Sequence, residues 1–476
     1  MKNHPLTLAL LLGLLGLASC TVGPSYQRPS TADLTPSQWR NSTPTAHAAT
    51  TQASSLRSAW WEIFGDRELD ALEAKAVASN QDLAAAVARI EQSRSTARQT
   101  ASSFYPQAQG SASFTRARTN LAGAGMTGLP AQGTTGNTYS VPFDLSYEVD
   151  LWGKIRRNFE SATAQVRVSQ AEAKSVQLAL TGDVATNYFQ IRTLDSQAAL
   201  LRRTVQLRQE TVDTLQQRFK ACTIPEIDLS RAQTDLATAQ ADLVAVQRER
   251  AQTQNALAVL CGSAASDFAV TEKPLSTTAP EIPAGLPSEL LQRRPDVAGA
   301  EQTLVARNAE IGVAVAEYFP SVSLTASGGT MSVDAKSLFS AQSGVWSFGP
   351  SLNVPLFTGG RTAAEVARSK AIYSESVAHY KQIILGAFRD VEDALAAAYY
   401  WGQQQTAYQN AETAARRATE LAQLRYQRGV VGNLEVIDAE RTQLQVELLA
   451  RRAEGQRVAA TVQLIRALGG NWDSPR

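Results

Sequence analysis

Hydrophobic and polar residues alternate along the stretch YSVPFDLSYEVDLWGK, residues 139–154. The odd-numbered positions from 139 to 151 are all apolar or aromatic, and the even-numbered ones are polar apart from Pro142. A period of two over this length predicts a β-strand with one apolar and one polar face. Similar alternation recurs elsewhere, so the sequence predicts four amphipathic strands, at about 107–118, 138–152, 321–331 and 344–357.

Outside the strands, apolar residues return every three or four positions among Gln, Arg, Glu and Thr. This spacing predicts two very long helices, at about 156–220 and 362–428, each roughly 100 Å long at about 1.5 Å per residue. Neither contains an uninterrupted apolar run of about 18 residues, which a helix needs to cross a bilayer. The pattern is instead typical of helices packed side by side.

The chain is internally duplicated. A shift of 207 residues places Arg218 and Phe219 on Arg425 and Tyr426, and a shift of 214 aligns the ends of two shorter helices. The pattern within each copy predicts a helix, two strands, a long helix, a tight turn and a returning helix. We therefore predict the following organisation: a signal peptide at 1–19, an extended segment at 20–60, a first structural repeat at 61–270 and a second at 271–476.

Four amphipathic strands are too few to close a membrane barrel, which needs at least about eight. Several copies of the chain must therefore contribute strands to one barrel. In such a barrel lipid covers the apolar face and the polar face lines a lumen.

The N-terminus has the features of a secretory signal: Lys2, an apolar run at 6–17, and the sequence LASC ending at Cys20. The LASC sequence resembles the bacterial lipoprotein box, in which the thiol of the first mature residue receives a lipid. We expect a covalent lipid on Cys20 and, because Thr21 follows rather than aspartate, sorting to the outer membrane. The alternative is an ordinary signal peptide with a chance cysteine.

Composition excludes several other functions. The mature chain carries equal numbers of basic and acidic residues, which gives no reason to expect nucleic-acid binding. Only His47 and His379 follow the signal, without a metal-binding or nucleophile motif, so we expect no enzyme, metal or other cofactor. The glycine-rich stretch at 123–128 lies between two strands and is interpreted as a loop rather than a dinucleotide site. Cys222 and Cys261 are too far apart along a helix to form a disulfide.

Six stretches in order resemble the outer-membrane efflux channels of the TolC-like, NodT type. They cover nearly the whole mature chain: WWEIFGDRELDALEAKAVASNQDLAAA, YEVDLWGKIRR, LPSELLQRRPDVAGAEQTLVARNAEIGVAVAEYFPS, PSLNVPLFTGGR, RYQRGVVGNLEVIDAER and ALGGNW. The resemblance implies an α+β, mostly α, tandem-duplicated TolC-like fold. In that fold a homotrimer forms a 12-stranded outer-membrane β-barrel, which continues as a long periplasmic α-helical barrel.

The same resemblance implies a function and a set of partners. The expected protein is the outer-membrane channel of a tripartite efflux system in a Gram-negative bacterium, passively conducting what the pump delivers. Its expected partners are a periplasmic membrane-fusion adaptor, an inner-membrane pump of the RND type, and outer-membrane lipid. The substrate is left open, because a wide water-filled tunnel need not recognise its cargo.

The resemblance also assigns a periplasmic gate to Tyr426, Asp438 and Arg441. Asp438 and Arg441 are three residues apart and share a helix face, although that spacing alone is typical of a solvated pair. Their counterparts one repeat earlier are Arg231 and Thr234, so only the second copy has the pair. We therefore expect the second helical hairpin to move while the first stays fixed.

Two further sets of residues are candidates. The turns between the long and returning helices are expected to contact the adaptor, through Cys222, Thr223, Gly429, Val430 and Gly432. The even-numbered, polar face of the second strand carries Asp144, Glu148 and Asp150, which are expected to make the lumen acidic. For Asp150, pairing with residues near the start of the long helix is an equal alternative.

Two rival functions remain open. One is an exit duct for type I protein secretion, and the other is a non-conducting coiled-coil lipoprotein that tethers the outer membrane. The alternating strands argue against a tether, because a lipid and helices suffice for that role.

Overall fold

The computed structural model of the protein describes residues 21–40, 59–119, 134–282 and 293–470. Cys20, the signal peptide and the glycine-rich stretch at 123–128 lie outside these residues. The strands are β1 Gln107–Gly110, β2 Ser113–Thr119, β3 Thr134–Val149, β4 Ser321–Ser332 and β5 Gly344–Asn353. The helices are α1 Arg67–Ser79, α2 Gln81–Ala101, α3 Lys154–Lys220, α4 Glu226–Leu260, α5 Pro295–Ala316, α6 Arg361–Gln427 and α7 Asn433–Ala467.

The strands form one antiparallel sheet in which β3 and β4 are central. Strands β1 and β2 both pair with β3, and β5 pairs with β4. The strand predicted at 107–118 is interrupted at Ser111 and Ala112, but its register against β3 is the same on both sides. The interruption lies opposite Pro142, which accepts a hydrogen bond from Ser111 but has no N–H to return.

Facing residues in an antiparallel pair point to the same side of the sheet, so the register assigns every side chain to a face. Tyr139 faces Phe114, and their rings lie 4.8 Å apart. Trp346 and Phe348 are 84% and 71% exposed on the same side. Together with these four, the apolar face comprises Val141, Phe143, Leu145, Tyr147, Val149, Val322, Leu324, Ala326 and Leu352.

The two long helices each contain 67 residues, which corresponds to roughly 100 Å at about 1.5 Å per residue. They begin and end within two residues of the predicted bounds. The last predicted strand is shorter than expected, because β5 stops at Asn353 before Pro355. Among the described residues, no helix is long and apolar enough to cross a membrane.

The compact units of the fold do not follow the sequence repeats. Each unit combines segments from both repeats, because the helices of one copy pack with those of the other. The first unit is Met1–Pro29, Ile90–Val168 and Glu301–His379, and the second is Ser30–Arg89, Ser169–Ala300 and Tyr380–Arg476. All five strands belong to the first unit, and both helical hairpin turns belong to the second.

The second unit has an aromatic and aliphatic core beside a buried ion-pair network. Its largest buried side chains include Tyr188, Phe189 and Ile191 of α3. The Arg192 guanidinium is 2% exposed and donates to Glu68 at 2.6 Å and to Asp195 at 3.3 Å. Because each charge is hydrogen-bonded, burial of the network is tolerated.

Candidate functional site

The two hairpin turns have the same backbone geometry. After α3, Thr223 N donates to the Arg218 carbonyl at 3.0 Å; after α6, Val430 N donates to the Arg425 carbonyl at 3.0 Å. This bond requires a left-handed residue immediately before it. Gly429 supplies φ 70° in the second turn, and its counterpart in the first turn is Cys222 with φ 54°. Cysteine therefore preserves the turn at the cost of an unfavourable backbone conformation.

Gly432 has a different role from Gly429. Its φ is −78° and its ψ is 165°, so it is an extended residue at the N-cap of α7. Those backbone angles are open to any residue, so the reversal of the second turn requires glycine at 429 and not at 432.

The turns predict opposite responses to two substitutions. A Cβ at Gly429 meets no atom within 4 Å, so Gly429→Ala is expected to cost only the left-handed conformation, about 1 kcal/mol. Cys222→Gly is expected to raise the unfolding midpoint slightly, because the relieved strain exceeds the added freedom of the unfolded chain. Thermal unfolding in detergent measures both. The control Gly386→Ala, inside α6, should be neutral or stabilising; equal losses at Gly386 and Gly429 would contradict the argument.

Arg441 joins the two helical hairpins of the chain. The first hairpin consists of α3 and α4, and the second of α6 and α7. Its guanidinium donates from Nε and Nη2 to the Asp235 Oδ1 of α4, at 2.8 and 2.5 Å. The Asp235 side chain is only 9% exposed, and its main-chain carbonyl accepts from Arg208 at 2.6 Å. Asp438 is 62% exposed and lies 3.8 Å from Arg441 Nη1. Arg441 is therefore bound mainly to the first hairpin and only loosely to its neighbour on α7.

Tyr426 makes a second contact between the hairpins. Its hydroxyl accepts a hydrogen bond from Arg218 Nη1 at 3.0 Å. Contacts within the second hairpin are also polar: Arg425 pairs with Glu435, and Gln423 donates to Glu440 at 3.0 Å. The three predicted gate residues thus lie on one hairpin, and two of them bind residues of the other.

Sequence reasoning missed Asp235 and Arg218 as partners. Asp235 lies on the buried stripe of α4, between Ala232 and Ala239, so an acid interrupts an otherwise apolar face. That interruption was the available signal, because buried acids are rarely left unpaired. The duplication gave no signal, since the counterpart of Asp235 is Thr442.

The predicted acidic residues divide into two groups. Asp144 and Glu148 are exposed on the polar face of β3, opposite Ser327 and Ser323 of β4. Asp150 instead accepts from the backbone N–H groups of Ile155 and Arg156, both at 3.1 Å, and from Arg156 Nε at 3.0 Å. The alternative interpretation of Asp150 is therefore correct: its carboxylate stabilises the start of α3.

The segment after Cys20 is held where β3 leads into α3. Val22 N donates to the Trp152 carbonyl at 3.0 Å, and the Pro24 carbonyl accepts from Asn308 Nδ2 at 2.9 Å. Gly23 has φ 95°, and a Cβ there would lie 2.5 Å from Gly312 Cα. This contact requires glycine and fixes the path of the segment.

The described residues include no metal-binding cluster. No group of three His, Cys, Asp or Glu side chains is close enough to hold a metal ion there. Burial raises the pKa of the Cys261 thiol to about 11, which makes it unreactive. Cys222 is exposed on its turn.

An amphipathic sheet, two long helices and two linked hairpins are the features expected of an outer-membrane efflux channel. The chain belongs to the outer membrane efflux protein family, whose model matches residues 72–263 and 286–470. That family consists of channels rather than enzymes. The fold is therefore the TolC-like one, and the chain is the outer-membrane component of an efflux pump.

Individual relatives match over nearly their whole length. The chain is 34% identical over 468 residues to the toluene efflux pump outer membrane protein TtgI of Pseudomonas putida, covering 97% of each. It is 32% identical over 479 residues to the antibiotic efflux pump outer membrane protein ArpC of Pseudomonas putida, covering 99% of this chain and 96% of the relative. The open-state crystal structure of the Neisseria gonorrhoeae MtrE channel matches with a TM-score of 0.80 and 30% identity. The match covers 95% of this chain and 98% of the MtrE chain.

Proposed function

We propose that three copies of this chain form one lipid-anchored exit duct whose periplasmic end is held closed by contacts between its helical hairpins. The supporting observation is the sheet: it has a continuous apolar face, a polar face, and edges at β1, β2 and β5. Pairing β5 of one copy with β1 and β2 of the next satisfies both edges. Three such sheets give a closed barrel with lipid outside and water inside.

Native mass measurement in detergent and planar-bilayer conductance test the assembly together. The expected result is a trimer that conducts ions. A stable monomer with full strand content would refute the assembly. A trimer that does not conduct even when Arg441→Ala separates its hairpins would instead favour the tether.

The contacts of Arg441 and Tyr426 support the proposed gate. Both join the second hairpin to the first, and both side chains are at least partly exposed, so they can separate without unfolding the core. The crystal structure of the related channel MtrE is that of its open state. We propose that opening of this chain breaks Arg441–Asp235 and Arg218–Tyr426 as α6 and α7 move away from α3 and α4.

The proposed adaptor contacts are the two turns. Cys222, Thr223, Gly429 and Val430 are exposed, and the turns repeat one backbone geometry. An adaptor could therefore meet equivalent surfaces on both hairpins of each copy. We propose a periplasmic membrane-fusion adaptor and an inner-membrane pump of the RND type as partners, with the hairpin turns as the docking point.

The cargo is proposed to be selected by the pump rather than by the duct. The relatives TtgI and ArpC are similarly close to this chain but are named for toluene and for antibiotics. Similar channels in pumps for such different compounds favour a duct that does not recognise its cargo.

A lipid on Cys20 is part of the same proposal. Thr21, the residue that follows it, packs against Gly153, a few residues beyond the end of β3. Intact mass measurement of the mature protein is expected to show a diacylglyceryl cysteine that Cys20→Ala removes. The control Cys222→Ala should retain the added mass. An unmodified Cys20 in the mature wild type would end this part of the proposal.

The acidic polar face predicts a modest cation preference. Asp144 and Glu148 would form rings of carboxylates around the lumen of a trimer. The double variant Asp144→Asn with Glu148→Gln is expected to lower the cation preference measured as a reversal potential in a salt gradient. Asp33→Asn, in the N-terminal segment, is the control. A wild-type preference for anions would contradict the prediction.

A further inference from the structure

Two arginines occupy the apolar face of the sheet at its distal end, the end away from the junction of β3 with α3. Arg116 pairs with Asn137 and Arg118 with Thr135, whereas Phe114 pairs with Tyr139. Even-numbered residues of β2 therefore share the face of Tyr139. The arginines point to the outside of the sheet rather than to its polar side, and both are exposed.

Their height relative to the apolar band follows from strand geometry. From Val149 to Tyr139 the strand rises about 33 Å, which becomes about 25 Å at a tilt of about 40°. That is the height of a lipid-facing apolar band, with the Tyr139 and Phe114 rings at its distal border. Arg116 and Arg118 lie two and four residues beyond Phe114, or about 7 and 13 Å further along the strand. They are therefore at the level of lipid headgroups.

The chain offers these arginines almost no acid of its own. The sequence from 107 to 143 contains no Asp or Glu. Around the turn between β4 and β5 the only acid is Asp334, which already accepts from Lys336 N at 3.1 Å. Because every copy in a homo-oligomer has the same sequence, a neighbouring copy adds no further acid at this end. The two guanidinium groups are therefore available to an anionic ligand from outside the protein.

The geometry points to a binding site for the phosphate groups of a membrane glycolipid on Arg116 and Arg118. The inference rests on the proposed function, in which the distal end of the sheet lies in the outer leaflet of the outer membrane. That leaflet contains lipid A, a phosphorylated glycolipid. A guanidinium can bind a phosphate through two parallel hydrogen bonds, and a headgroup at this level lies within reach of both side chains.

The test measures lipid binding to the purified full-length protein by native mass spectrometry during titration with lipid A. Arg116→Gln with Arg118→Gln is expected to weaken binding at least about tenfold. A matched variant keeps the charge but moves it to the polar face: Thr115→Arg, Arg116→Thr, Ala117→Arg and Arg118→Ala. This rearranged variant should bind as weakly as the double glutamine variant.

Three ligand arms identify the chemistry that is recognised. Wild-type protein should bind lipid A more tightly than dephosphorylated lipid A, and inorganic phosphate should not compete at millimolar concentration. Equal binding of the dephosphorylated lipid, wild-type affinity in the rearranged variant, or full competition by phosphate would each overturn the inference. The wild-type comparison of the two lipids does not depend on the variants folding.

Conductance separates this inference from the proposed function. Wild type and both variants are expected to form conducting trimers, because none of the substituted residues contributes to the proposed gate. Conducting trimers with no preference for the phosphorylated lipid would refute the lipid site alone. Absence of conductance in both the wild type and Arg441→Ala would refute the proposed duct.

Discussion

Replacing Arg441 by alanine is expected to raise the open probability of single channels about fivefold for each copy whose second hairpin separates from its first. The substitution removes both hydrogen bonds to Asp235 and leaves a carboxylate that is only 9% exposed without its guanidinium partner. That loss destabilises the closed arrangement by about 1 kcal/mol, which corresponds to the stated factor. The open arrangement, in which Asp235 can hydrate, loses nothing comparable.

Two control variants distinguish opening of the gate from a general loosening of the helices. Arg417→Ala removes a guanidinium that is 67% exposed and pairs with Glu420 of its own helix, so channel opening should be unchanged. Asp438→Ala should have a smaller effect than Arg441→Ala, because Asp438 is 3.8 Å from Arg441 and mostly hydrated. The same rise in all three variants would indicate a general loosening of the helices rather than a gate.

A large pH-dependent effect is expected at Glu73. Its side chain lies on the core face of α1 between Leu69 and Ala76, fully buried. Neither carboxylate oxygen has a hydrogen-bond partner within the described part of the chain. Burial, with a smaller contribution from the negative charge of Asp70, raises the pKa of Glu73 to about 9. Glu73 is therefore protonated in the folded protein at neutral pH.

The direction of the effect follows from proton linkage. The ordinary pKa of 4.5 applies to the unfolded chain, so between pH 4.5 and about 9 the folded state holds a proton that the unfolded state has lost. Stability from this group is therefore lost as pH rises, by up to about 1.4 kcal/mol per unit. Glu73→Gln should gain stability relative to wild type as pH increases through this window.

The Glu73 effect is measured as the unfolding midpoint at about pH 5.5, 7 and 8.5, which lie between the pKa values of the unfolded and folded states. The difference between Glu73→Gln and wild type should widen with pH. The control Glu91→Gln, on an exposed part of α2, should show no such trend. If the unfolding midpoints of Glu73→Gln and wild type change in parallel with pH, the Glu73 carboxyl has an ordinary pKa in the folded state and the prediction is wrong.

The sheet was predictable because its pattern is local. Strict alternation along β3 fixes which residues share a face, and the register against β4 and β5 extends that face without a shift. The long helices were equally predictable from their three-and-four spacing. The interruption beside Pro142 was not, because it depends on which residue lies opposite on another strand.

The candidate gate shows where sequence reasoning stops. The family resemblance placed Tyr426 and Arg441 on the hairpin, but their partners Arg218 and Asp235 lie more than 200 residues earlier in the chain. Such a pairing depends on how four helices pack, which spacing within one helix cannot encode. Asp150 was ambiguous for a related reason: whether it caps α3 depends on the turn that joins it to Ile155.

A double-mutant cycle on Asp235 and Arg441 tests the gate most directly. Single-channel recordings give the open probability of wild type, Asp235→Ala, Arg441→Ala and the combined variant. If the pair acts as one link, each single substitution opens the channel and the combined variant opens it no further than Arg441→Ala does. If the two effects add in free energy, or if neither substitution changes channel opening, the link between the hairpins does not hold the duct closed.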